Sequence, residues 1–184
     1  SSGQVLTSGG ASAAPSWADA GGGAFSDFDA WDLGGGPYNM IPQAWRWDDD
    51  ILGQNVSDKE SPLYRVSNLT PVGNGMSQTN GVFTFPATGM WKIDLFLVTQ
   101  FQTSGGGELE VWFDRSTDSG SSYSNIVASK IKPDDQYIKF NRSFMSYFNC
   151  TSTSTNRFRI RMKNQNPYQM QLVDNTSITF MKVA

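Results

Sequence analysis

The side chains able to do chemistry are few and unevenly placed. The sequence contains no histidine, and Cys150 is its one cysteine. That removes the commonest general base, the usual partner of a nucleophilic serine and the favoured zinc ligand; it also excludes an internal disulfide framework and a multi-thiolate metal site. Hydrolysis without histidine would rest on carboxylates, and the dense runs of these are Asp48-Asp49-Asp50 and Asp134-Asp135. A glycosidase pair needs its two carboxyl groups about 5–9 Å apart, and neither run forces that separation. Hard oxygen ligands suit Ca2+, which makes Asp48, Asp50, Asp134 and Asp135 the candidates for a metal. The spacing of a calcium loop is absent, however, and three consecutive acids cannot all face one ion outside an irregular loop. Solvated turns are the plainer reading. No phosphate-binding loop, dinucleotide fingerprint or nucleophile elbow occurs. The expectation is a chain without catalytic residues, cofactor or metal.

Binding chemistry is better represented. Arg157, Arg159 and Arg161 alternate with Phe158, Ile160 and Met162, so one strand would carry three guanidinium groups on one face. Three like charges so spaced repel unless something offsets them. Acids on a neighbouring strand (Glu108, Glu110 or Asp174) or simple solvation would do so. The functional alternative is an anionic partner: lipopolysaccharide phosphate, an acidic glycan, or the acidic arm of a neighbouring copy. Phe96, Val98 and Trp112 fall at outward positions of otherwise polar strand faces, which marks an interface. Tyr123, Tyr137 and Tyr168 lie near turns, where their rings suit a weak glycan contact.

These residues have to be positioned by strands. Period-2 alternation runs through 81–86, 91–97, 108–114 and 157–162, with further strands expected at 124–131, 138–148 and 177–183. Turn residues separate them, including Asn80-Gly81, Pro86 to Gly89, and Asp118 to Gly120. Helical periodicity is absent, and no apolar run approaches 18 residues, so neither a helical domain nor membrane insertion is expected. Short strands with Gly, Pro and Asn turns predict an all-β antiparallel sandwich or barrel.

Composition changes near residue 60. Residues 1–60 hold ten of the 18 glycines, and nine acids against Arg46 and Lys59; residues 61–184 hold eight acids and twelve bases. A net charge of −3 thus conceals an acidic arm and a mildly basic body. The overall sign argues against nucleic-acid binding. The arm is expected to be irregular, since its glycines bury nothing. Yet it carries Trp17, Trp31, Trp45 and Trp47 as aromatic anchors, which would dock onto the body or onto another chain. The expected division is an arm, 1–60, for attachment, and a folded domain, 61–184. The start at Ser1 predicts a processed start or a longer parent.

Two resemblances refine this reading. Gly81, Phe83, Pro86, Gly89, Trp91 and Ile93 fill the places of a hairpin pattern, and Ser177 to Val183 is similar to a closing strand, of the complement-globular-head and tumour-necrosis-factor superfamily. The resemblance implies a jelly roll of about ten strands over residues 62–184, assembled as a homotrimer with Phe96, Val98 and Trp112 along the threefold axis. Some members of that superfamily bind calcium, which is the further motive for weighing the four aspartates. Gly3-Gln4-Val5-Leu6-Thr7-Ser8-Gly9-Gly10 with Ala14-Pro15-Ser16-Trp17 resembles a segment of phage tail fibres and other virion fibres. It implies a virion location and attachment to other virion proteins through residues 1–60. The function expected is a structural, non-enzymatic appendage or fibre tip that contacts a host surface glycan or protein. A capsid decoration protein and a secreted trimeric adhesion module are the alternatives.

Overall fold

A computed structural model of the 184-residue chain describes residues 4–8, 10, 12–19, 26–33, 50–52, 55–56, 59–60, 63–66, 69–101, 108–132, 139–164, 170–172 and 176–183. Their regular structure is all strand. The N-terminal third supplies β1 (Gln4–Thr7), β2 (Ser16–Asp19), β3 (Phe28–Leu33), β4 (Asp50–Ile51), β5 (Asn55–Val56) and β6 (Lys59–Glu60). Then follow β7 (Leu63–Arg65), β8 (Ser77–Thr79), β9 (Val82–Thr84), β10 (Gly89–Phe101) and β11 (Leu109–Ser116). The chain closes with β12 (Ser124–Ile131), β13 (Lys139–Cys150), β14 (Arg157–Asn164), β15 (Met170–Leu172) and β16 (Ser177–Lys182).

Two antiparallel sheets face each other as a jelly-roll sandwich. The first runs β13-β10-β16-β3-β7, with β15 on the far end of β10; the second runs β12-β11-β14-β9-β8, with β4 against β14. Alternation places the core as the sequence predicts. Trp91, Ile93, Leu95 and Leu97 of β10 and Phe180 of β16 point inward from the first sheet. Leu109, Val111 and Phe113 of β11 and Phe158, Ile160 and Met162 of β14 meet them from the second. Each such side chain contributes about 1.5–3 kcal/mol by leaving water. Aromatic contacts join the layers. Phe83 lies 4.7 Å from Phe180, and Phe85 stacks on Phe148 at 4.6 Å with ring planes 1° apart. Asn80 (φ 49°) and Gly81 (φ 76°) form the two-residue turn from β8 to β9, a left-handed pair that Asn-Gly tolerates and most residues do not.

The division at residue 60 does not hold for the described part of the arm. β3 is a central strand, paired with β16 on one side and β7 on the other. Its Trp31, expected as a docking anchor, is buried in the core, edge-to-face with Phe83 at 5.6 Å between ring centroids. Leu52 is fully buried, and its amide donates to the Ile160 carbonyl at 2.9 Å. The chain enters the sandwich here because burying an indole and a leucine removes a large apolar area from water. Asp29 holds the crossing in place. Its buried carboxylate accepts from Arg65 Nε (3.0 Å) and NH2 (3.0 Å), the Met76 amide (2.8 Å) and the Trp31 indole N–H (3.1 Å). The hairpin β1–β2 pairs only with itself among the described residues.

Candidate functional surfaces

Cross-strand register decides which of the candidate residues meet. On the outer face of the first sheet, Phe96 sits opposite Ser143 of β13 and Ser177 of β16, while Asp94 and Lys92 oppose Met145 and Tyr147. Phe96 is 38% exposed, Met145 53% and Tyr147 54%; Val98 shares their face and is half-buried. Lys92 and Asp94 pair at 2.7 Å between them, and that hydrogen bond raises the lysine pKa. The result is a face on which exposed apolar side chains surround a neutralised ion pair. Met145 and Tyr147 escaped the sequence reading because Ser146, which is buried, interrupts the inward apolar set of Phe144 and Phe148. Trp112 is not part of this surface. It lies on β11, on the outer face of the second sheet, so one protomer cannot present it alongside Phe96 and Val98.

Trp112 belongs to the arginine face instead. Asp114 stands directly opposite Arg159 and is 1% exposed. Arg159 Nε donates to its Oδ2 at 3.2 Å, and Arg161 reaches the same carboxylate through Nε and NH2, the latter at 3.3 Å. Asp114 thus sits between the two guanidinium groups and offsets part of their repulsion. Glu108 and Glu110 both pair with Lys130, at 2.6 Å each. Each guanidinium also lies over a ring: Arg159 is 3.6 Å from the Tyr123 centroid and Arg161 is 4.8 Å from that of Trp112. Arg157 is used differently, donating to the carbonyls of Thr153 (3.1 Å), Ser154 (2.9 Å) and Asn156 (2.7 Å). It braces a loop. Tyr123, expected to stack on a sugar, has one ring face taken by Arg159, and burial raises its phenol pKa while Arg159 and Arg157 oppose that.

Two hydroxyl-rich loops end the second sheet beside these arginines. Asp118 accepts from Ser122 Oγ (2.6 Å), Ser116 Oγ (2.7 Å) and the Ser122 amide (2.9 Å), which together hold its carboxyl at a pKa of about 2. The Ser119 amide donates to the Thr155 carbonyl of the neighbouring loop at 2.8 Å. Asn156 closes that loop by accepting from the amides of Thr151 (2.7 Å) and Ser152 (3.0 Å).

Trp17 is 67% exposed and lies directly across from Leu6, 58% exposed, in the N-terminal hairpin. Trp45, Trp47, Asp48, Asp134, Asp135, Tyr137 and Tyr168 lie outside the described residues, as does the side chain of Asp50. Among the described residues no group of three acids or thiols is placed to hold a metal. Cys150 is buried, a small apolar filler whose thiol pKa is raised by desolvation.

No protein-family model matches the sequence, and no curated protein matches it. Solved structures do share the fold. Eiger TNF from S. frugiperda superposes with a TM-score of 0.54 at 12% identity, over 88% of this chain and 94% of that one. Murine APRIL gives 0.53 at 12% identity, over 85% and 98%. The chain has a tumour-necrosis-factor-like jelly roll.

Proposed function

We propose that the protein is a non-enzymatic, self-associating binding module: a trimeric virion appendage or fibre tip that contacts the host surface. The observation that carries this reading is the outer face of the first sheet, where Phe96, Met145 and Tyr147 stand exposed around the Lys92–Asp94 pair. An apolar surface of this kind favours association. The trimeric state is what the superfamily resemblance of 81–93 and 177–183 implies. The interface residues become Phe96, Val98, Met145 and Tyr147, without Trp112. The virion location is supported by the fibre-like segment at residues 3–17, and the attachment element narrows to the hairpin β1–β2 with its exposed Leu6 and Trp17. The non-enzymatic reading is supported by the pairing of Asp29, Asp94, Glu108, Glu110 and Asp114 with basic side chains.

Sedimentation equilibrium of the full chain tests the association. Three times the 20.3 kDa of one chain is expected; a monomer at tens of micromolar overturns the reading. Particle incorporation tests the location: the full chain enters the virion, and a chain lacking residues 1–25 does not.

A further inference from the structure

The geometry points to the outer face of the second sheet as a recognition site for a carboxylate-bearing polysaccharide, with Arg159 as the group that receives its carboxylates. This names the surface partner of the binding module proposed above and rests on that reading.

The local charge is positive in an acidic chain. Among the described residues, Lys130, Arg157, Arg159, Arg161 and Lys163 share the face with Glu108, Glu110 and Asp114, and Asp118 lies in the loop at its end, five cations against four carboxylates. Buried Asp114 is shared by two guanidinium groups, those of Arg159 and Arg161. Among the described residues, the two terminal nitrogens of Arg159 make no hydrogen bond, and its side chain is 21% exposed. Its plane is fixed from both directions, by the Nε bond to Asp114 and by contact with the Tyr123 ring. A guanidinium held this way offers a flat fork to a carboxylate with little rotamer entropy left to lose. Arg157, anchored to three loop carbonyls, stiffens the same strand.

A polysaccharide fits this face better than an acidic peptide. Among the described residues, β14 is flanked on both sides beside the arginines. β11 covers one side along its length, while β9 covers the other at Arg157 and Phe158 and β4 at Arg161 and Met162. The Leu52–Ile160 bond fills the gap between these last two. An extended peptide therefore cannot add to the strand by backbone pairing, and the slot an acidic arm from a neighbouring copy would need is taken by the chain's own Asp50–Ile51. The face reads a ligand through side chains alone. At its end, the hydroxyls of Ser119, Ser121 and Ser122 donate within the loops and those of Ser152 and Ser154 bond each other, which leaves oxygen lone pairs to accept from the hydroxyls of a sugar.

The test is titration calorimetry of the full chain with polygalacturonate oligomers, poly-glutamate of matched charge, and neutral dextran at low ionic strength. Polygalacturonate is expected to bind, to weaken as salt rises, and to exceed poly-glutamate; dextran is expected not to bind. Arg159→Gln is expected to weaken binding about tenfold. Arg159→Lys, which keeps a charge beside Asp114 but loses the fork, is expected to weaken it several-fold with an unchanged circular-dichroism spectrum. Absence of polygalacturonate binding, equal binding by both variants, or tighter binding of poly-glutamate each overturns the proposal. Sedimentation of the same samples separates this result from self-association, since a trimer that ignores polygalacturonate refutes only the ligand.

Discussion

Asp29 and Arg65, 36 residues apart in sequence, form a two-pronged ion pair at the inner side of the first sheet. Arg65 Nε and NH2 each lie 3.0 Å from a carboxylate oxygen of a residue with no solvent exposure. The same guanidinium sits 5.0 Å from the Trp31 ring centroid and reaches the Met76 carbonyl. One acid thus fastens β3, β7 and the approach to β8.

Removing that acid should destabilise the whole sandwich. Asp29→Ala leaves Arg65, the Trp31 indole N–H and the Met76 amide without their acceptor, a loss on the order of 3–5 kcal/mol. Thermal unfolding should show a fall in Tm of ten degrees or more. An unchanged Tm would mean that the network contributes nothing.

Truncation should divide the N-terminal segment in two. Deleting residues 1–25 removes a hairpin that pairs with no other described strand, and the circular-dichroism spectrum and Tm should survive. Deleting residues 1–60 removes β3 and Leu52, opens the first sheet between β16 and β7, and should leave a chain without a cooperative transition. A cooperative transition in the longer deletion would restore the boundary at residue 60.

The Asp118 loop should loosen in acid. Its folded-state pKa, about 2, lies below the ordinary 3.8. A depressed carboxyl pKa contributes order that is full above the unfolded value and is lost as pH falls from about 4 through 2. Carbon-13 titration of the Asp118 carboxyl should place its midpoint near the lower value, and Ser122→Ala should raise it. A midpoint near 3.8 in the unaltered chain would show that the loop bonds do not form in solution.

The strands β10, β11 and β14 are legible in the sequence because their inward residues are apolar and their outward ones polar. β3 is hidden because its core-facing set begins with Asp29, so alternation reads as an acidic loop. β8 is hidden because Ser77, Gln78 and Thr79 carry no apolar signal. The arginine stripe is visible at once, but Asp114 reads as an outward solvated acid; only the register that sets it opposite Arg159, with Arg161 reaching over, shows why it is buried. Trp112 and Phe96 look equivalent as outward aromatics. Sequence alternation tells in from out, not one sheet from the other, and that separates them.

The central claim, that copies associate through the outer face of the first sheet, is tested most directly by placing charge on it. Phe96→Asp and Tyr147→Asp put a carboxylate into the apolar contact while leaving the core side of β10 and β13 untouched. Sedimentation equilibrium should find the unaltered chain as a trimer and each variant shifted to monomer with an unchanged circular-dichroism spectrum. Trp112→Asp should stay trimeric. Variants at Phe96 and Tyr147 that sediment as stable trimers would contradict the account.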